Sequence, residues 1–115
     1  MLVGGVNAVK GFFTIFFAAS LFSTVEVSAE NLLLGADIGY GEYLSGECVT
    51  CHSQKGVGNG IPVINGLDAE IFATILHAYK AGSIEHPVMQ MVAGRLDGEQ
   101  IASLATYFAT LSPTE

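Results

Sequence analysis

Downstream of residue 36, apolar residues recur with the 3.6-residue period of helices, and no run alternates in the manner of a strand. The spacing predicts a first helix over residues 37–47. Asp37 caps it, and Tyr40, Tyr43 and Leu44 fall at i, i+3 and i+4 on one face. A second helix is expected over residues 68–80, with a stripe of Ile71, Phe72, Ile75, Leu76 and Tyr79 and a stop at Gly82. A third starts at Asp97, where Gln100 completes a capping box. Its stripe is Ile101, Leu104, Ala105 and Phe108, and Pro113 lies beyond its end. Residues 53–67, "SQKGVGNGIPVINGL", are rich in glycine and read as an ordered loop. Val57, Ile61, Val63 and Ile64 are too apolar for free loop residues, so they are expected to pack against something. Residues 83–96, with Pro87, Met89 and Met91, read as a second loop. The expected fold class is therefore all-α, with three main helices and two long loops. Loops this long in a small domain are usually functional.

The first 29 residues pattern differently. Lys10 is the only charge ahead of an apolar run, "GFFTIFFAASLF", and Val27 and Ala29 occupy small-residue positions of the sort a signal peptidase favours. A spanning helix needs about 20 apolar residues, and this run is shorter. Residues 1–29 are accordingly read as a signal peptide cleaved after Ala29, with an uncleaved anchor as the alternative. Residues 30–115 form the domain. It would be exported, in a bacterium to the periplasm, with no stable membrane span after cleavage.

Charge narrows the partners. The chain holds 4 Lys and Arg against 11 Asp and Glu, a net charge of −7. The leader removes one base and one acid, so the domain keeps that value. Nucleic-acid phosphates require the opposite sign, so nucleic acid is excluded as a partner. A basic protein partner fits, as does plain solubility. A domain of 86 residues without tryptophan buries little apolar surface of its own. Something besides side chains is expected to fill its centre.

The only two cysteines stand in "GECVTCHS", as Cys48 and Cys51 followed by His52. A structural zinc site needs four ligands, and His52, His77 and His86 complete no common spacing with two cysteines. A thioredoxin-type pair belongs to a βαβ pattern, which is missing here. A disulfide closing a four-residue ring would constrain little chain. Cys-x-x-Cys-His is also the attachment sequence of c-type haem. Its two thiols bind the two vinyl groups as thioethers, and the adjoining imidazole of His52 becomes the iron's fifth ligand. Export agrees with this reading, and a porphyrin would supply the missing core.

The sequence then resembles a known family. "GEYLSGECVTCH" is similar to the first helix of class I c-type cytochromes, with Gly41 seven residues before Cys48. "NGIPVINGL" resembles their proline loop, and "AYKAGSIEHPVMQMVAGRLDGEQIASLATYF" their methionine loop and closing helix. The likeness covers about residues 36–112. Within the class it is to the small monohaem subunit of flavocytochrome c sulfide dehydrogenases and to single cytochrome c4-type domains. Lys80, Gly82, Met89, Asp97 and the segment from Leu104 to Phe108 carry it. Ile84 and Glu85 depart from the basic residue and proline of the flavocytochrome relatives, which touches the partner and not the haem.

The resemblance implies a cytochrome c fold around one haem c, bound covalently through Cys48 and Cys51, with Tyr107 packed on the first helix near Gly41. It implies that the Pro62 carbonyl accepts from His52 and that Met89 is the sixth ligand. Met91, His86 or an open sixth position remain alternatives. With iron closed on both sides the implied function is transfer of single electrons. The partner would be a flavoprotein subunit of the sulfide-dehydrogenase type, or the chain would be a free shuttle between respiratory complexes or to a terminal oxidase. A peroxidase-like enzyme is a third possibility, tied to an open sixth position.

Overall fold

The computed structural model describes residues 32–53 and 60–113. The expected leader, residues 1–29, and Val57 in the first loop lie outside the described residues. Among the described residues there are four α-helices, α1 (Ile38–Val49), α2 (Ala69–Ala81), α3 (Pro87–Gly94) and α4 (Gly98–Thr110), and no strand. The fold is all-α and agrees with the expected cytochrome c fold.

Three of the helices begin at a capping aspartate, and the sequence places two of these, Asp37 and Asp97, as caps. Asp37 accepts from the Tyr40 N–H at 2.7 Å, and Asp68 from the Ile71 N–H at 3.0 Å. At Asp97 both halves of the capping box form, at 2.8 and 2.9 Å. Each side chain satisfies a donor that the helix start leaves unpaired. The α2 stop also follows expectation, since Gly82 adopts a left-handed conformation with φ of 76°.

The second expected loop needs a correction. Residues 83–96 are not all loop, because Pro87–Gly94 form α3. Pro87 sits at the start of this helix, where its fixed φ and missing N–H cost nothing. His86 caps it, accepting from the Met89 N–H through Nδ1 at 3.3 Å. Eight residues are too few to display an apolar period of their own.

Helices α1 and α4 make the closest packing. A Cβ on Gly41 would lie 2.1 Å from the Ser103 carbonyl oxygen and 2.8 Å from Tyr107 Cβ. Tyr107 thus packs at Gly41 as expected, and the Ser103 backbone approaches closer still. The Ser103 hydroxyl also accepts from the Asp37 N–H at 3.0 Å, tying the start of α1 to the middle of α4. The buried residues of α1 are Gly41 and Ser45. The face predicted from Tyr40, Tyr43 and Leu44 is therefore wrong for the tyrosines. Tyr43 is 81% exposed, and Leu44 alone of the three packs against the core.

The α4 stripe is buried throughout, at Ile101, Leu104, Ala105 and Phe108. Phe108 stacks on Phe72 of α2 with ring centroids 5.3 Å apart. On α2, Phe72 and Leu76 are buried as expected, whereas Ile71 and Ile75 of the predicted stripe are exposed. Gly66 donates its N–H to the Phe108 carbonyl at 2.9 Å, which pins the proline loop against α4.

Substituting Gly41 tests this packing. Alanine normally favours a helix interior over glycine by about 1 kcal/mol. At Gly41 the clash is with backbone and outweighs that gain, so Gly41→Ala is expected to lose about 2 kcal/mol net. Gly46, also in α1, has no atom within 4 Å of its would-be Cβ. Gly46→Ala is expected to match or exceed the stability of the parent. Urea unfolding of the two variants measures the contrast.

Candidate haem site

The Cys-x-x-Cys-His segment finishes the first helix and turns out of it. The Cys51 and His52 N–H groups both donate to the Cys48 carbonyl, at 3.3 and 2.8 Å. This keeps helical spacing through the motif, so positions i, i+3 and i+4 share one side. All three residues line one cavity of about 740 Å³. That volume lies in the range of small-molecule and cofactor sites, roughly 300–1,000 Å³.

Every helix contributes a wall. Phe72 and Leu76 come from α2, Met89 from α3 and Leu104 from α4, and the loop supplies Ile61 and Pro62. The lining is mainly apolar. The expectation that Ile61, Val63 and Ile64 pack against something is met here, since all three line the same cavity.

The two thiols differ in surroundings. Burial, and secondarily the neighbouring Glu47 carboxylate, push the Cys48 thiol up to about 11. It is therefore neutral at physiological pH. Cys51 is exposed.

His52 is oriented by the loop. Its Nδ1 lies 2.7 Å from the Pro62 carbonyl oxygen. A carbonyl only accepts, so Nδ1 donates and Nε2 is the nitrogen left free of this bond. The Pro62 contact is as the sequence reading expected.

Methionines 89 and 91 part company. Met89 is half-buried, packs against the core and lines the cavity. Met91 is 61% exposed and does not line it. His86 sits on the rim of the cavity with its Nδ1 engaged in capping α3. His77 is half-buried on α2 and takes no part in the lining. Among the described residues, no group of three or more His, Cys, Asp or Glu converges as a metal site.

Sequence reasoning missed the Ser103 hydroxyl bond to Asp37, the capping role of His86 and the placement of Lys80. The Lys80 Nζ donates to the Leu96 carbonyl, where α3 meets α4. The Ser103 and Lys80 contacts have no sequence signature because each depends on a tertiary approach, whereas the His86 cap is local but a weak signal.

The donor set suits haem c: two thiols, an imidazole with Nε2 available and a thioether, all bordering one apolar cavity. No protein-family model matches the chain. Individual proteins do. The cytochrome subunit of sulfide dehydrogenase from Chlorobaculum tepidum is 35% identical over 92 residues, covering 79% of this chain and 84% of its own. Cytochrome c-553 of Helicobacter pylori is 31% identical over 85 residues, covering 70% and 84%. The thiosulfate dehydrogenase electron acceptor of Thiomonas intermedia is 34% identical over 70 residues, or 58% of this chain. The match takes in only 32% of that longer protein. Two alignments that run through most of both partners, each ending on a cytochrome, leave one conclusion: the chain belongs to the monohaem class I c-type cytochromes and binds haem c covalently through Cys48 and Cys51.

Proposed function

We propose that this electron-transfer cytochrome is the haem subunit of a sulfide-dehydrogenase-type flavoprotein and accepts its electrons one at a time. The observation that carries this is the likeness to the Chlorobaculum tepidum subunit, at 35% identity and 84% of that protein's length. Residues 1–29 deliver the chain to the periplasm and are cleaved after Ala29. C-type cytochromes are typically exported, and no described helix is long and apolar enough to cross a membrane.

Haem c supplies a one-electron carrier that alternates between ferric and ferrous iron. His52 would hold the haem iron through Nε2, supported by the Nδ1 bond to Pro62 that fixes the ring direction. Met89 would hold the iron through its thioether sulfur. Its place on the cavity wall supports this, as does the exposure of Met91. A thioether is a soft, neutral donor that favours the ferrous state and raises the potential. Phe72, Leu76 and Leu104 exclude water from the cavity. Cys48 and Cys51 hold the cofactor at fixed orientation, so partner docking alone decides the transfer distance.

A second reading has its own support. The likeness to a thiosulfate dehydrogenase electron acceptor and to cytochrome c-553 favours a free periplasmic shuttle. Both readings use the same haem site.

Two outcomes are expected. Met89→Ala loses the far-red absorption of methionine-bound ferric haem and gains rapid cyanide or carbon monoxide binding, while Met91→Ala retains the parental spectrum. A Met89→Ala protein with the parental band would refute the ligand assignment. The partner is tested by affinity purification from the native periplasm. The subunit reading predicts a stable equimolar complex with a flavoprotein, and the shuttle reading a lone monomer. With a net charge of −7, association with either partner is expected to weaken as ionic strength rises.

A further inference from the structure

Helix α3 carries Met89 and meets the core through Met89 and Ala93. Its eight residues are below the length at which a helix is stable alone. The His86 cap at its start is local to the helix and ties it to nothing else. At its end, Arg95 approaches Glu47 at 3.8 Å, with side chains 64% and 80% exposed. Such a surface pair contributes little. Ala93 is its one buried residue.

Lys80 offers a stronger attachment. It stands in the last turn of α2, the helix whose Phe72, Leu76 and Tyr79 line the haem cavity. Its ammonium donates to the carbonyl of Leu96. Leu96 lies between the end of α3 and the capping Asp97 of α4, and its own N–H donates to the Ala93 carbonyl at 3.1 Å. Leu96 stands one residue beyond the Arg95 cap of α3, so its carbonyl belongs to the linker between α3 and α4. One ammonium therefore joins the cavity wall to the linker that leaves the methionine helix.

We propose that Lys80 is a positioning residue for the sixth ligand: its bond to the Leu96 carbonyl braces α3 against α2 and holds the Met89 sulfur toward the cavity. This rests on the reading of Met89 as the ligand. Lys80 is exposed and fills no core volume. Its removal should loosen the methionine without unfolding the bundle.

Imidazole competition on the haem-loaded ferric protein tests this, because added imidazole binds iron only where methionine gives way. Lys80→Met is expected to bind imidazole about fivefold more tightly than the parent, the scale of one net hydrogen bond. Its urea midpoint should stay close to parental, and Lys80→Arg, which keeps a donor cation, should restore parental imidazole affinity. Met89→Ala is titrated alongside. If Met89→Ala binds imidazole tightly and Lys80→Met binds like the parent, the bracing role is wrong while the ligand assignment stands. If Met89→Ala itself binds no more tightly than the parent, the ligand reading fails and takes this proposal with it.

Discussion

A small domain must bury enough apolar surface to offset the entropy of ordering its chain. This one assembles few large residues for the purpose. Among the described residues, four of the nine buried core hydrophobics are alanines, at positions 73, 93, 102 and 105. Its helices and proline loop instead surround an apolar cavity of about 740 Å³ that borders both cysteines. In a c-type cytochrome the haem belongs to that space, where it would supply apolar surface that the side chains lack. A cofactor that completes the core and is bonded to the chain cannot dissociate, and it contributes to stability for as long as the protein exists.

The remaining geometry serves that arrangement. Gly41 lets α1 approach the Ser103 backbone, which sets the direction in which the end of α1 presents the motif. The Cys48 carbonyl collects two N–H groups so that both sulfurs and the imidazole face the same cavity. Pro62 then fixes the imidazole from the loop. These contacts are short and mostly involve backbone, which gives the site little freedom to rearrange. An electron carrier benefits, because a coordination sphere that moves little between oxidation states lowers the barrier to transfer.

Much of this was legible in the sequence, for identifiable reasons. Asp37 and Asp97 announce helix starts because capping is a local interaction. The stripe of α4 reads correctly because that helix is packed on several sides. The motif names its chemistry because few other uses need two thiols and an imidazole at that spacing. Helix α1 was misread because it packs through small residues, Gly41 and Ser45, and turns its tyrosines outward. Hydrophobic period registers apolar bulk and is blind to close approach. Helix α3 was read as loop because Pro87 and a histidine cap are weak signals over so short a span. Family register favoured Met89 over Met91, and their unequal exposure, which only packing reveals, adds independent support.

The dependence of the fold on its cofactor can be measured directly. The decisive experiment is urea unfolding, followed by far-ultraviolet circular dichroism, of the chain made without haem and with alanine at both cysteines. The account predicts a weak helical signal and a broad transition with no cooperative midpoint. A single sharp transition from a helical signal equal to that of the haem-loaded protein would contradict it.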